Sequence, residues 1–144
     1  MSQEDPAVYS IGLAGALYSY TGSKPFSKDA LYKFPSVGGP PWVPGIFNAT
    51  ESWAAFVIDE GAKFGLGIYN PSTTSFIAGF HGIPGRGTSS DDNTGYMAPL
   101  GTEILTADIV YTYDCWLILG NLQDIRNYVY EKRQELIKAG EIVL

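Results

Sequence analysis

Two glutamates stand beside apolar segments, where a carboxyl group could perform acid–base chemistry. Glu51 comes just before the apolar run at residues 53–58, and Glu103 lies between a polar loop and a short apolar segment. Hydrolysis of a glycosidic bond uses two carboxyl groups that lie a set distance apart in the folded protein. The sequence identifies candidate carboxyl groups but does not give the distance between them. Glu51 and Glu103 are therefore the candidate catalytic residues. The wider pool of carboxylates contains Asp59, Asp108 and Asp114.

Aromatic rings beside polar loops could instead hold a sugar, because a ring stacks on the apolar face of a pyranose while nearby polar groups bind its hydroxyls. Trp42 lies in a loop dense in Gly and Pro at residues 33–45, and it is the tryptophan expected to be exposed. Trp53 and Trp116 lie within strand patterns, which favours a role in the core over contact with a ligand. The predicted ligand-contact residues are Trp42, Trp53, Tyr69, His81 and Arg86.

Metal and cofactor sites find little support in the sequence. Asp91, Asp92 and Asn93 offer three hard oxygen ligands in succession, as a fragment of a calcium site would. No bidentate carboxylate follows them at the spacing of such a site, so a solvated turn is the favoured interpretation. A zinc site would need more than the one histidine and one cysteine of this chain. We predict no cofactor and no metal, with the Asp-Asp-Asn run as the alternative.

The charge balance argues against nucleic acid and membrane surfaces as partners. Nine Lys and Arg face fifteen Asp and Glu, which gives a net charge of −6. Such a chain repels phosphate backbones and anionic lipids unless a basic patch overrides the sum, and the sequence shows no such patch. Residues 82–89 resemble a phosphate-binding loop but lack its lysine.

Three features of the sequence bear on localisation: the number of cysteines, the length of the apolar runs and the character of the first residues. Cys115 is the single cysteine, so no intrachain disulfide can form, and its apolar surroundings predict a small buried side chain. No apolar run reaches the roughly 20 residues of a membrane span, and the first residues do not read as a signal peptide. This leaves a cytoplasmic protein or the mature part of a larger one. Asn48 begins a glycosylation sequon.

The elements that must position these residues are mainly strands. With 45% apolar residues, 14% aromatic residues, 17 Gly and 9 Pro, the composition is typical of one compact β-rich domain over residues 1–144. Residues 53–58 are apolar on both alternating faces, which predicts a strand covered above and below. Further strands are predicted at residues 64–69, 75–80, 103–105 and 109–119, and residues 8–20 as extended structure with a short helix as the alternative. A long polar loop is predicted at residues 81–101.

Two local features refine this scheme. Residues 59–62 predict a hairpin turn into the next strand. In that strand Gly65 and Gly67 share one face, which indicates that something approaches the backbone closely there, either a packed aromatic ring or a ligand.

The last segment changes to a helical period. Leu122, Ile125, Val129 and Leu136 form one apolar stripe. Asn121 suits the N-cap, and Gly140 suits the stop. The sequence therefore predicts a mainly β fold, an antiparallel sandwich-like meander with one C-terminal α-helix at about residues 121–139.

Several sequence blocks carry a family resemblance that covers most of the chain up to the final helix; they are residues 3–9, 20–26, 49–55, 64–71 and 94–99. They resemble the C-terminal portion of large, mostly uncharacterised secreted β-sandwich proteins found beside polysaccharide-processing enzymes. The resemblance implies an extracellular setting and a carbohydrate context, and it carries over no catalytic residues. In that family a long β-rich region precedes this stretch, so a fragment of a larger protein is expected.

Three functions follow from these observations. The favoured hypothesis is a carbohydrate-binding or carbohydrate-associated segment without chemistry of its own, with a glycan as partner. The alternative is a structural module that forms a homo-oligomer or completes a larger sheet, because the two-sided apolar strand at residues 53–58 needs extensive cover. The second alternative is a carbohydrate-active enzyme that uses two carboxylates.

Overall fold

The computed structural model describes residues 2–4, 8–10, 16–34, 45–59, 63–80, 95–102 and 106–143. These residues form ten strands and one helix. In chain order they are β1 (Ser2–Glu4), β2 (Val8–Ser10), β3 (Ala16–Ser19), β4 (Tyr32–Lys33), β5 (Gly45–Asn48), β6 (Trp53–Asp59), β7 (Phe64–Tyr69), β8 (Ser75–Phe80), β9 (Gly95–Thr102), β10 (Trp116–Asn121) and α1 (Leu122–Lys138).

The strands form two antiparallel sheets of five. The first sheet has the order β10-β7-β6-β3-β4, and the second has the order β1-β9-β8-β5 with β2 also paired to β9. The prediction of a mainly β, antiparallel fold with one C-terminal helix is confirmed. Extended structure within residues 8–20 is likewise confirmed, as β2 and β3.

Strand β6 lies at the centre of the first sheet and is covered on both faces, as its two-sided apolar pattern predicts. Ala54 and Phe56 face the second sheet, in a core shared with Phe76 and Met97. Trp53 and its neighbours on the other face pack against α1 in a second core. The fold thus has three layers, with the first sheet between a sheet and a helix. The second core contains Ala16, Tyr18, Trp53, Ala55, Val57, Tyr69, Ile118, Leu122, Ile125, Val129 and Leu136.

Helix α1 begins and ends close to its predicted bounds. The Asn121 side chain accepts a 2.9 Å hydrogen bond from the Asp124 N–H and caps the first turn. Gly140 follows the helix with a φ of 74°, the left-handed conformation common just past a C-cap. Because Asn121 is also the last residue of β10, strand and helix join without a linker. Among the described residues, no helix combines the length and apolarity of a membrane span.

Other groups do approach the backbone closely at Gly65 and Gly67, as predicted, but the prediction that an aromatic ring is the neighbour is wrong. A Cβ on Gly67 would lie 2.7 Å from the Cγ2 atom of Ile125 in α1. A Cβ on Gly65 would overlap the Phe56 carbonyl of the neighbouring strand. The absence of a side chain at Gly67 lets α1 lie directly against β7, and its absence at Gly65 leaves room for the backbone of β6.

The β6–β7 pairing agrees with the predicted hairpin. Trp53 lies opposite Tyr69 and Phe56 opposite Leu66, with a β-bulge between Val57 and Asp59. Residues 60–62 of the predicted turn lie outside the described residues.

Two predicted element boundaries are wrong. Residues 109–115, expected as strand, contain none, because β10 pairs with β7 only as far as Trp116 opposite Tyr69, where β7 ends. Residues 95–101, expected as loop, belong to β9, which lies between β8 and the two N-terminal strands. In both places pairing with a strand distant in sequence decides the structure.

Candidate functional site

Glu51 lies at the entrance to β6, in a turn where Ser52 has a φ of 64°. The residue is only 2% exposed. Its carboxylate accepts a 2.6 Å hydrogen bond from the Phe26 backbone N–H and a 2.8 Å bond from the Trp53 indole. The turn therefore aims the carboxylate into the protein.

Arg126 of α1 completes the surroundings of this carboxylate. Its Nε lies 3.0 Å from Oε2 of Glu51, and a terminal nitrogen lies 2.6 Å from Oε1. The guanidinium also donates to the Ser27 carbonyl at 3.0 Å and lies 4.8 Å from the centroid of the Tyr20 ring. A bidentate pair of this kind holds both side chains in one orientation.

The Tyr20 hydroxyl extends the network into the loop between β3 and β4. It donates to the Lys24 carbonyl at 2.7 Å and lies 2.6 Å from the Ser27 hydroxyl. Glu51, Arg126 and Tyr20 thus fasten this loop and α1 to the first sheet. Both carboxylate oxygens of Glu51 accept hydrogen bonds from N–H donors. In this structure the carboxylate therefore has a structural role and is not accessible to a substrate.

The other predicted site residues divide into two groups. Trp53 and Tyr69 have no exposed surface, and both rings pack in the core beneath α1. Their predicted role as ligand contacts finds no open ring surface here. The remaining candidates lie outside the described residues; they are Trp42, His81, Arg86, Glu103, Asp91, Asp92 and Asn93. Within the described part of the chain, no group of three or more His, Cys, Asp or Glu residues is placed to hold a metal ion.

A groove of about 480 Å³ lies where residues 111–113 cross the β7–β8 turn and the end of β9. We call it the tyrosine groove. The rings of Tyr111 and Tyr113 lie 5.7 Å apart at 41° to each other, and Tyr113 is 42% exposed. Six of the lining side chains carry a hydroxyl: Ser72, Thr73, Ser75, Tyr111, Thr112 and Tyr113.

Local hydrogen bonds give the wall of the tyrosine groove its shape. The Thr73 hydroxyl donates to the Leu100 carbonyl at 2.9 Å and accepts from the Ser75 N–H at 3.0 Å, which joins the turn to β9. Within the turn, the Asn70 side-chain oxygen accepts a hydrogen bond from the Ser72 N–H at 3.0 Å.

A second pocket, of about 200 Å³, adjoins the tyrosine groove and shares Ser72, Thr112 and Tyr113 with it. We call it the Asn70 pocket. Its remaining lining residues are Asn70, Pro71, Asp114, Trp116, Leu136, Glu141 and Ile142. The two cavities together form one continuous surface of hydroxyls, rings and two carboxylates.

Sequence reasoning missed this surface because its two sides are distant along the chain. The residue pattern at 109–119 predicted a strand, so Tyr111 and Tyr113 were not expected to lie in a loop. Nothing in the sequence placed the turn between β7 and β8 against residues 111–113.

Comparison of the chain with protein-family models, with curated proteins and with solved structures found no match. Assignment of a function therefore depends on the geometry of the site and on the sequence resemblance given above.

Two polar groups of the core have no hydrogen-bond partner among the described residues, the Tyr69 hydroxyl and the Asn70 side-chain nitrogen. Burial raises the pKa of Tyr69 from 10.0 to about 12, since the phenolate would lose its hydration, and the positive charge of Arg133 opposes the shift.

The buried ion pair yields the first prediction. We expect Glu51→Gln and Arg126→Met each to lower the free energy of unfolding by about 3–5 kcal/mol, because each leaves one buried group without its counter-charge. The double variant should lose far less than the sum of the two. Urea denaturation of the four proteins measures this coupling. Glu135→Gln, which removes the exposed pair with Lys132, is the control and should leave the free energy of unfolding nearly unchanged. Additive losses would contradict the coupling.

Tyr69→Phe yields a second prediction. At neutral pH it should raise the free energy of unfolding by about 1 kcal/mol, because it removes a buried donor without a partner. The raised pKa of Tyr69 also makes the stability of the wild type depend on alkaline pH. Below pH 10 the tyrosine is protonated in both states and its contribution to stability is fully present. Between pH 10 and about 12 only the unfolded chain ionises readily, so the free energy of unfolding falls over this range. The phenylalanine variant should escape this alkaline loss, of up to about 2 kcal/mol.

Urea midpoints at neutral pH and at pH 11 measure both effects, with Tyr128→Phe, on the exposed side of α1, as the control. A variant that is less stable than the wild type at neutral pH would mean that the hydroxyl has a partner.

Proposed function

We propose that the chain binds carbohydrate at the tyrosine groove and has no chemistry of its own. The observation that carries the proposal is the pair of neighbouring tyrosine rings within a groove of six hydroxyl-bearing side chains. A sugar presents the complementary surface, an apolar ring face bordered by hydroxyls that both donate and accept.

The size and charge of the groove support this ligand class. A volume of about 480 Å³ falls within the ~300–1,000 Å³ range of small-molecule sites. None of its lining residues is charged. Hydroxyl groups that rotate to donate or accept suit an uncharged polyol better than a phosphate or a nucleic acid.

The occupied carboxylate of Glu51 favours binding over hydrolysis. A glycosidase needs two carboxyl groups open to the scissile bond, and this one is enclosed by Arg126, Trp53 and the Phe26 N–H. Glu103 lies outside the described residues. The two-carboxylate enzyme is therefore the least supported of the three hypotheses.

An extracellular location forms part of the proposal. It rests on the resemblance to secreted β-sandwich proteins and is compatible with Asn48, the asparagine of the sequon, which is exposed at the end of β5. Treatment of protein from a secreting eukaryotic host with an endoglycosidase would test glycosylation of Asn48 directly.

Tyr113→Ala tests the proposed ligand site. We expect about a tenfold loss of affinity, or roughly 1.4 kcal/mol, for a neutral oligosaccharide selected on a glycan array, because the variant removes one stacking surface. Isothermal titration measures the affinity. Tyr128→Ala, which removes an exposed ring on α1, is the matched control and should bind normally. Absence of any glycan bound by the wild-type protein would overturn the proposal.

The outer edge of β10 supports a second candidate function, self-association. No described strand pairs with this edge. Leu117 and Leu119 are 61% and 71% exposed on the face that carries Leu66 and Ile68 in the neighbouring strand. An apolar, unpaired edge strand is a template for a further strand.

We propose a second copy of this chain as the partner at β10. Two copies can pair β10 with β10 in antiparallel orientation about a two-fold axis, which joins two five-stranded sheets into one. The six residues of β10 carry no charge, in a chain of net charge −6. This edge is thus a surface where two acidic molecules can meet with little repulsion.

Leu117→Lys/Leu119→Lys tests this pairing. The added charges should shift the protein to monomer in sedimentation equilibrium, because lysine on an edge strand opposes strand addition. Ile46→Lys, at a position 68% exposed on β5 of the other sheet, is the control and should leave the association unchanged. A wild-type protein that remains monomeric at high concentration would refute the pairing.

A further inference from the structure

We propose that the protein has a second ligand site, beside the first turns of α1, which binds the carboxylate of a uronic acid. The site is a cavity of about 470 Å³ between residues 26–28 of the loop after β3 and one face of α1. We call it the Phe26 groove. It shares no lining residue with the tyrosine groove, so the proposal goes beyond that site and does not depend on it. Its lining includes Phe26, Lys28, Gln123, Arg126, Asn127 and Tyr130.

Arg126 offers an open donor to the Phe26 groove. Its Nε and Nη2 atoms donate to Glu51 and to the Ser27 carbonyl. The other terminal nitrogen, Nη1, has no partner among the described residues, and it is not one of their buried unpaired atoms, which are the Tyr69 hydroxyl and the Asn70 nitrogen. Nη1 therefore keeps accessible surface, on a side chain that is 13% exposed and lines the groove. The bidentate pair with Glu51 fixes the direction of its N–H groups.

Phe26 adopts an unusual backbone conformation at this groove. Its φ of 61° is left-handed, which is rare for a bulky residue, and the 2.6 Å bond from its N–H to Glu51 stabilises it. Its ring packs edge-on against the ring of Tyr130, with centroids 5.2 Å apart, and Tyr130 is 46% exposed. Backbone strain of this kind clusters at functional sites. The two rings offer an apolar surface against which one face of a sugar can pack.

The charges around the Phe26 groove favour a ligand with one negative charge. Glu51 balances the charge of Arg126, whereas the exposed ammonium of Lys28 makes no ion pair with a described residue. The guanidinium of Arg133 lies beside the groove, 5.6 Å from the centroid of the Phe26 ring. None of the described lining residues is acidic, although the chain has a net charge of −6. A carboxylate suits this balance better than a phosphate dianion or a polyanion, which the net charge would repel.

The face of α1 beside the groove is likewise free of acidic residues. Positions 123, 126, 127, 130, 133 and 134 share this face by helical spacing and carry Gln, Arg, Asn, Tyr, Arg and Gln. Gln123 donates to the Asn127 side-chain oxygen at 2.9 Å. This bond leaves the Gln123 oxygen as an acceptor and the Asn127 nitrogen as a donor for sugar hydroxyls.

A hexuronate satisfies these groups together. Its carboxylate can accept from Nη1 of Arg126 and from Lys28, its ring can pack on Phe26 and Tyr130, and its hydroxyls can bind the two amides. The sequence gave no sign of this site, because Lys28 and Arg126 are brought together by the fold.

Methyl glucuronoside and methyl glucoside form a matched pair of probes, because they differ only at the carboxylate. On titration into the wild-type protein, the side-chain NH₂ signals of Gln123 and Asn127 in ¹⁵N-resolved NMR spectra should move. The affinity measured from these signals should be about fivefold higher for the glucuronoside. Lys28→Gln should remove this preference. Lys138→Gln, which makes the same change of charge in the last turn of α1, should bind as the wild type does.

Asn127→Asp is a second variant at an exposed position. It keeps the oxygen that accepts from Gln123 and adds a negative charge beside the ligand carboxylate. It should therefore weaken binding of the glucuronoside at least as much as Lys28→Gln does, and leave binding of the glucoside unchanged. Tyr113→Ala, the variant that tests the tyrosine groove, should leave both affinities measured at the Phe26 groove unchanged, so failure of one site is distinguishable from failure of the other.

Several outcomes would overturn the proposal. Unmoved amide signals, equal affinity of the wild type for the two probes, or an unchanged preference in Lys28→Gln would each show that the groove does not bind the carboxylate of a sugar. Tighter binding of inorganic phosphate at the same signals would overturn the choice of a carboxylate. Equal binding of N-acetylaspartate, a carboxylate without a sugar ring, would overturn the choice of a sugar.

Discussion

The fold depends on the buried pair formed by Glu51 and Arg126. Its partners come from three places that the chain would otherwise leave separate: the loop after β3, the entrance to β6, and α1. A buried carboxylate is tolerated only when its hydrogen-bonding capacity is filled, and here four N–H groups fill it. The ion pair therefore specifies one position of the helix over the sheet, while the apolar stripe below it supplies most of the burial.

The sequence predicts those parts of the fold whose structure depends only on residues within the same segment. The stripe from Leu122 to Leu136, with Asn121 before it, predicts the helix almost to the residue, because period and cap are properties of one segment. The two-sided apolar pattern predicts that β6 is covered on both faces. By contrast, β9 and the irregular run before β10 depend on which strand is available to pair, and that is settled by segments far away in sequence.

The candidate site follows the same division. Glu51 was recognisable as a carboxylate beside a buried strand, but its role depends on Arg126, 75 residues later. Tyr111 and Tyr113 meet Ser72 and Thr73 only because β10 and β7 are neighbours. The abundance of aromatic residues misleads in one respect: Trp53 and Tyr69 are packing residues, and the exposed ring of the groove is a tyrosine in a segment without regular structure.

The direct join between β10 and α1 has a mechanical consequence. Asn121 ends the strand and caps the helix, and the adjacent Leu122 N–H is bonded to the Lys63 carbonyl at 3.1 Å. With no linker to absorb a shift, strand and helix must translate and rotate as one rigid unit. Trp116 at one end of that unit and Leu136 near the other form the same wall of the Asn70 pocket. A movement of this unit relative to the β7–β8 turn would therefore shift both Trp116 and Leu136 and change the width of the pocket.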